Sequence, residues 1–331
     1  MYTLEDEDDL LNDIKEGVEI AMHREGYPAD AVDPIKFNKL AYLAIQDLEI
    51  PITYGWYKYG PAPVNVRRQD AQPTPKPAED CRASSQARIL TPDNRFRSPS
   101  EYSYYFTEDM PEFRQILRTP TKEFLVGFYE DYAPEPYFDI YTASVRLQQV
   151  IDEISEDRDW HNEAEMYQQE LDDRLSEIKR EILKEPTLSE AIDPFFEYSR
   201  LLKNVISGAA ALNHINPSQQ RFVSKLIDYF YGGAWNYVAL AISKNTVDYS
   251  LGDNKRRLRD AIDSDLRELR GEFETELLRL QERSDQYDLL PDSYKQDVDR
   301  SQSDTDSSQQ DMDYVEAWTK ISDEVIMDDL S

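Results

Sequence analysis

The stretch from Lys36 to Pro61, KFNKLAYLAIQDLEIPITYGWYKYGP, constrains the fold of this chain most. Asp33 is a good helix N-cap, and Pro34 suits the first helical position, whose N–H would be unpaired anyway. Phe37, Leu40, Ala41, Ala44 and Leu48 follow at helical spacing and share one face, while Lys36, Lys39 and Gln46 point elsewhere. Pro51 bars continuation of the helix. The aromatic run Ile52–Tyr59 reads as a strand, with Tyr57 and Tyr59 on one face and Trp56 and Lys58 on the other. Gly60-Pro61 is expected to end it in a turn. A helix followed by an aromatic strand is therefore the nucleus on which the body assembles.

Lys39-Leu40, then Tyr42-Leu43-Ala44, then an aromatic strand closing on Tyr59-Gly60-Pro61 resembles the core of the Panacea (SocA-type, DUF4065) antitoxin domain. The block is similar also to the YwgA-like group of helical proteins. In those families the KL-x-Y-L helix packs beside a strand that ends in YGP. The resemblance covers residues 1–61 and, more loosely, the helices near 110–130; after Pro61 the chain departs into a long loop. It implies a small, mainly helical domain that works by binding a protein partner. Some members neutralise toxins by direct contact, and one type serves as a protease adaptor.

The chain has 331 residues, enough for two domains at about 100–200 residues each. Hydrophobic residues make up 40%, with 22 Tyr and 12 Phe, so a sizeable core is available. The formal net charge of -30, at a pI near 4.4, would make the chain repel itself in dilute salt. At 1 M salt the Debye length falls to about 3 Å and the repulsion is screened. Acidic residues spread along the whole chain point to a halophilic, haloarchaeal cytosol. This charge opposes membrane surfaces and generic nucleic-acid binding. A single cysteine, Cys81, cannot form an internal disulfide, which fits a reducing cytoplasm. The start, MYTLEDEDDLL, lacks a signal-peptide core. The most apolar run, Leu226–Ile242, carries Asp228, Gly232, Gly233 and Asn236 and reads as a buried helix rather than a membrane span.

The expected fold is mainly α. An N-terminal domain, 1–133, would hold a helix at Leu10–Arg24, the central helix, and a small two-stranded β element in which Glu101–Phe106 pairs with Tyr54–Tyr59, a winged-helix-like arrangement. Between them, 62–100 is rich in Pro, Ser, Gln and Arg and is expected to be a disordered loop. Helices follow at Met110–Arg118 and Thr121–Tyr132, the second begun by a capping-box-like Thr-x-Glu. Residues 134–284 form a bundle of long helices. Leu171, Leu175, Ile178 and Ile182 make a coiled-coil-like stripe. Leu258, Ile262, Leu266, Leu269, Phe273, Leu277 and Leu280 form an eleven-residue repeat, about 3.67 residues per turn, whose stripe runs nearly straight. It should pack on the Leu171–Ile182 helix or on a second copy of the chain. An acidic linker, 285–311, leads to an amphipathic tail, 312–331, that contains Trp318.

Catalytic and metal signatures are missing. His23, His161 and His214 lie far apart, and none has ligand spacing with another His or with Cys81. His161 reads as part of a solvated, charged helix face. No P-loop and no nucleophile-elbow motif occurs, and Gly232-Gly233 reads as close packing within a helix. The expectation is a non-enzymatic protein with no cofactor and no metal. The first functional reading is a partner-binding regulatory protein, antitoxin-like, whose working residues are Tyr54, Trp56, Tyr57, Tyr59 and Trp318, since aromatics dominate interface energies. Plain core packing is the competing reading for these aromatics. A toxin is the implied partner, and the long C-terminal helices offer a homodimer surface. The second is a nucleic-acid-binding regulator that uses Arg67, Arg68, Arg82 and Arg88 of the loop as a wing and the Lys36–Leu48 helix for recognition. The third is a structural coiled-coil assembly protein.

Overall fold

The computed structural model describes residues 2–64, 73–80, 98–157 and 160–291. Helix α1 (Leu4–Glu25) starts at a reciprocal capping box between Thr3 and Asp6 and ends at Gly26. Helix α2 (Pro34–Asp47) begins as its sequence dictates: the Asp33 side chain accepts the Lys36 N–H, with Pro34 at the first position. Most of its fourteen residues are buried, including Lys36 and Lys39. Strands β1 (Tyr54–Tyr57) and β2 (Gly60–Pro63) then form an antiparallel hairpin, with Tyr57 opposite Gly60 and Tyr54 opposite Pro63.

This hairpin corrects two expectations. The turn is Lys58–Tyr59, and Gly60-Pro61 opens the second strand instead of ending the first. Gly60 takes the positive φ, 80°, that the reversal requires. The second strand is not Glu101–Phe106. Those residues lie in α3 (Pro99–Tyr104) and the π-turn after it (Tyr105–Asp109). Ser98 and Glu101 make a capping box with Pro99 at the first position, and the buried Tyr102, Tyr105 and Phe106 recur at helical, not alternating, spacing. The arrangement is thus a tight hairpin and not a wing closed by a long loop.

The remaining helices are α4 (Phe113–Arg118), α5 (Thr121–Tyr132), α6 (Phe138–Glu156), α7 (Ala164–Lys184), α8 (Ser189–Ala210), α9 (Pro217–Tyr229), α10 (Trp235–Thr246) and α11 (Lys255–Gln286). A π-turn, Phe230–Ala234, joins α9 to α10 inside the apolar run Leu226–Ile242. Thr121 does not cap α5; its hydroxyl donates instead to the Asp33 carboxylate, tying α5 to the start of α2. The stripe of α7 is buried between α6 and α8. The stripe of α11 is covered by α8 and α10, not by α7. Among the described residues, no helix is long and apolar enough to cross a membrane.

The buried apolar side chains form one cluster from Leu10 to Leu290, and it passes through the junction at 133. Glu7 ties α1 to the start of β1 and to the residue before α11. Its carboxylate accepts the Thr53 N–H at 2.9 Å, the Thr53 hydroxyl at 2.8 Å and the Asn254 amide at 2.7 Å. Those donors offset the cost of burying the group; the burial nonetheless raises its pKa.

Candidate functional site

The hairpin is held from behind by side chains that arrive from distant parts of the chain. Trp235 Nε1 donates to the Lys58 carbonyl at 2.7 Å, and the Tyr141 hydroxyl donates to the Tyr57 carbonyl at 2.8 Å. Tyr54 donates its N–H to Ser250 Oγ at 2.9 Å and its hydroxyl to the Tyr249 carbonyl at 2.7 Å. Behind the strand, Trp56 meets Tyr42 and Tyr141 with ring centres 5.7 and 5.4 Å apart. Tyr141 in turn meets Trp235 edge-on at 5.7 Å. Such pairs contribute about 0.5–1.5 kcal/mol each beyond the area they bury.

Lys39 joins the two halves of the KL-x-YLA…YGP block. Its ammonium donates to the Pro61 carbonyl at 3.1 Å and lies 5.6 Å from the centre of the Phe128 ring. In β2 the N–H groups of Ala62 and Val64 face β1, where Val64 donates to the Thr53 carbonyl. By alternation Pro61 and Pro63 sit where an N–H would point away from β1, so they offer no donor to a third strand. The Pro61 carbonyl on that outer edge would be left without a donor, and Lys39 supplies one. Burial pushes the Lys39 ammonium down to about 7, while the Asp33 carboxylate opposes that shift. A Cβ on Gly60 would fall 2.8 Å from Tyr129 Cε1 and 3.2 Å from Lys39 Nζ, so the closeness of strand and lysine depends on glycine there.

In front of this assembly lies an open groove of about 540 Å³, within the range of ligand-binding clefts. One wall is the hairpin: Tyr57, Lys58, Tyr59, Gly60, Ala62 and Pro63. The base of α2 contributes Ile35, Asn38 and Lys39. Gly232 of the π-turn, with Asn236 and Leu240 of α10, lines the floor, and π-turns of this kind recur at functional positions. The far wall is α11, with Asp265, Glu268, Leu269 and Glu272. Tyr59 and Lys58 are half-buried at the rim, with the Lys58 ammonium 5.8 Å from the Tyr59 ring centre. Burial raises the Tyr59 hydroxyl pKa. Asn38 Oδ1 is buried and accepts no hydrogen bond among the described residues.

The aromatics expected to form a working surface therefore divide. Tyr54 and Trp56, 2% and 1% exposed, belong to the core and present nothing to a partner. Tyr57 and Tyr59 line the groove. Trp318, Arg67, Arg68, Arg82 and Arg88 lie outside the described residues. The Lys36–Leu48 helix, proposed for reading a nucleic acid, is interior and has no free face to insert. His161 is not on a solvated helix face; it sits in a short 3-10 segment with Nε2 2.8 Å from the Leu212 carbonyl oxygen. Among the described residues, no group of three or more His, Cys, Asp or Glu is placed to hold a metal ion.

Sequence reasoning missed Asn38, Lys39 and the acidic wall of α11. A lysine embedded among the apolar residues of α2 was one available signal. The spacing of Asp265, Glu268 and Glu272 beside the apolar stripe was another. Searches of curated proteins and of solved structures found no match. The model of one protein family, described as a domain of unknown function (DUF8098), matches residues 1–316.

Proposed function

We propose, from the premise that this chain belongs to the DUF8098 family, that it is a non-enzymatic partner-binding protein whose working surface is the groove between the β1–β2 hairpin and α11. The observation that carries this reading is the pairing of a rigid hairpin with a half-buried aromatic rim. The Tyr57 and Lys58 carbonyls are fixed by Tyr141 and Trp235, and the Tyr57 and Tyr59 side chains line the groove. A rigid platform loses little entropy on binding, and aromatic rims contribute most of the energy at interfaces. The resemblance of the Lys39–Pro61 block to the antitoxin domain supports a regulatory role of the same kind, with a toxin-like protein as the partner. The formal charge of -30 supports a high-salt cytoplasm as the working environment.

A photocrosslinking residue at position 59, with purification from the native host at its own salt, tests this. One stoichiometric protein is expected to crosslink at position 59 and to be lost from the Tyr59→Ser variant, while crosslinkers on the far side of α7 capture nothing. Recovery of the chain alone, or capture unaffected by Tyr59→Ser, overturns the proposal.

A further inference from the structure

We infer that a pocket of about 370 Å³ on the other flank of α11 binds a small organic carboxylate; the site is separate from the hairpin groove and does not depend on the partner-binding reading. The pocket lies where the start of α8, α10 and the first half of α11 meet, and its lining brings Glu190, Tyr237, Lys244, Asp263, Arg267 and Arg270 together. The observation that points to a ligand is Tyr237. It is 3% exposed, its ring meets Phe273 edge-on at 6.4 Å, and its hydroxyl has no hydrogen-bond partner among the described residues. The hydroxyl sits among the pocket's charges: burial raises its pKa most, Glu190 and Glu274 add to that, and Arg270 and Lys244 oppose it. The body of the side chain is enclosed and only its tip opens on the pocket, so a partner for the hydroxyl comes from the pocket's contents.

The cations around that hydroxyl divide into paired and unpaired. The Lys244 ammonium lies 3.2 Å from the Asp263 carboxylate and 3.8 Å from that of Glu190, so both acids of the lining already have a cation. Arg267 donates its Nε–H to the Asp263 carbonyl at 3.0 Å, but neither Arg267 nor Arg270 forms an ion pair among the described residues. The two stand three positions apart on one helix, where like charges oppose each other until an anion joins them. Two unpaired guanidinium groups and an unpaired phenol are a donor set for one oxyanion. A planar carboxylate fits better than phosphate. One guanidinium can fork to its two oxygens while the phenol donates to one of them. Glu190, Asp263 and Glu274 border the pocket, and their repulsion opposes a dianion more than a monoanion. Leu266 and the Tyr237 ring add an apolar wall, which favours a carboxylate carried on a small hydrocarbon or aromatic body.

The test uses the full chain and fluorine NMR of para-fluorobenzoate. Its neutral match, para-fluorobenzamide, keeps the shape and removes the charge; both are read in 1 M KCl, so that screening and chloride competition are equal. The benzoate is expected to bind about tenfold tighter than the benzamide, the size of one charge-assisted hydrogen bond. Unlabelled benzoate should displace it, and inorganic phosphate at the same concentration should not. Tyr237→Phe and Arg270→Gln should each weaken benzoate binding by about three- to tenfold at an unchanged thermal midpoint, since neither group is paired among the described residues. Tyr59→Ser, in the hairpin groove, should leave it unchanged. Equal binding of benzoate and benzamide, or none of either, overturns the inference. So does displacement by phosphate as readily as by benzoate, the mark of a general anion site. Loss of binding with Tyr59→Ser rather than Tyr237→Phe also overturns it, by placing the ligand in the groove. A thermal midpoint that falls in ligand-free Tyr237→Phe does the same, by showing that the hydroxyl already has a partner.

Discussion

The β1–β2 hairpin and helix α11 form opposite walls of one groove, and they are stabilised in opposite ways. The hairpin has four-residue strands, a pair that is marginal alone in water. It persists because Tyr141, Trp235, Ser250 and Lys39 each take or supply a hydrogen bond at its backbone. Three of those four lie far from it in sequence. Helix α11, by contrast, spans 32 residues, buries a single stripe, and exposes Gly271 and Leu278 on its other side. Order in the hairpin is imposed by the whole fold, whereas α11 is ordered mainly along its own length. A binding wall of the first kind is rigid in position; one of the second kind is tolerant of surface change.

The largest effect that tests this contrast comes from truncating Trp56. It is 1% exposed and meets two aromatic rings. Trp56→Ala should cost about 3–5 kcal/mol in urea unfolding at constant salt. Leu278→Ala, at a residue 58% exposed on α11, should stay within about 0.5 kcal/mol. Comparable losses at the two sites would break the comparison.

Lys39 gives the next effect, read as a pH dependence. Its folded pKa is near 7 against an ordinary lysine value of 10.5, so the unfolded chain binds more protons between those limits. The Lys39 contribution to stability should therefore rise with pH across that window and be flat below about 7. From pH 7 to 9 the gain should be about 2 kcal/mol, before the tyrosines titrate. Lys39→Met should remove most of the slope between pH 7 and 8, while Lys179, which burial lowers to about 8, keeps a smaller slope above it. A slope unchanged in the Met variant would show that another group produces it and that Lys39 is paired more fully than its single hydrogen bond indicates.

The contrast also explains what could be read from the sequence. The stripes Leu171–Ile182 and Leu258–Leu280 were legible, since a one-sided amphipathic helix writes its burial pattern at a fixed period. Asp33-Pro34 was legible as a helix start, because capping is decided within one turn. The partner of α11 was not, since periodicity says which face is buried and not what covers it. Core packing of Tyr54 and Trp56 was one of two open readings, and the choice between them was not legible for a related reason: the residues that enclose them, Tyr141 and Ser250 among them, lie far away in sequence. Glu101–Phe106 misled because its tyrosines carry high strand propensity, whereas the Ser98–Glu101 capping box outweighed that preference. The groove was half legible, through Tyr57 and Tyr59, while Asn38 and the acids of α11 came to it only through folding.

The smallest effect is the sharpest, because it applies one substitution to both walls. Gly271 lies in the interior of α11, exposed, with no atom within 4 Å of where a Cβ would stand. Alanine there removes backbone freedom from the unfolded chain and adds helix propensity, so Gly271→Ala should stabilise by about 0.5–1 kcal/mol. At Gly60 the same change meets a φ of 80° and a neighbour at 2.8 Å, so it can only destabilise. Because the added methyl at Gly271 meets nothing within 4 Å, capture of the partner at position 59 should be unchanged by the α11 substitution. It should fall with the hairpin substitution, which displaces the strand that carries Tyr57 and Tyr59. Thermal midpoints moving in the same direction for both variants would mean that α11, too, is held in place from outside, and that the two walls do not differ in the origin of their order.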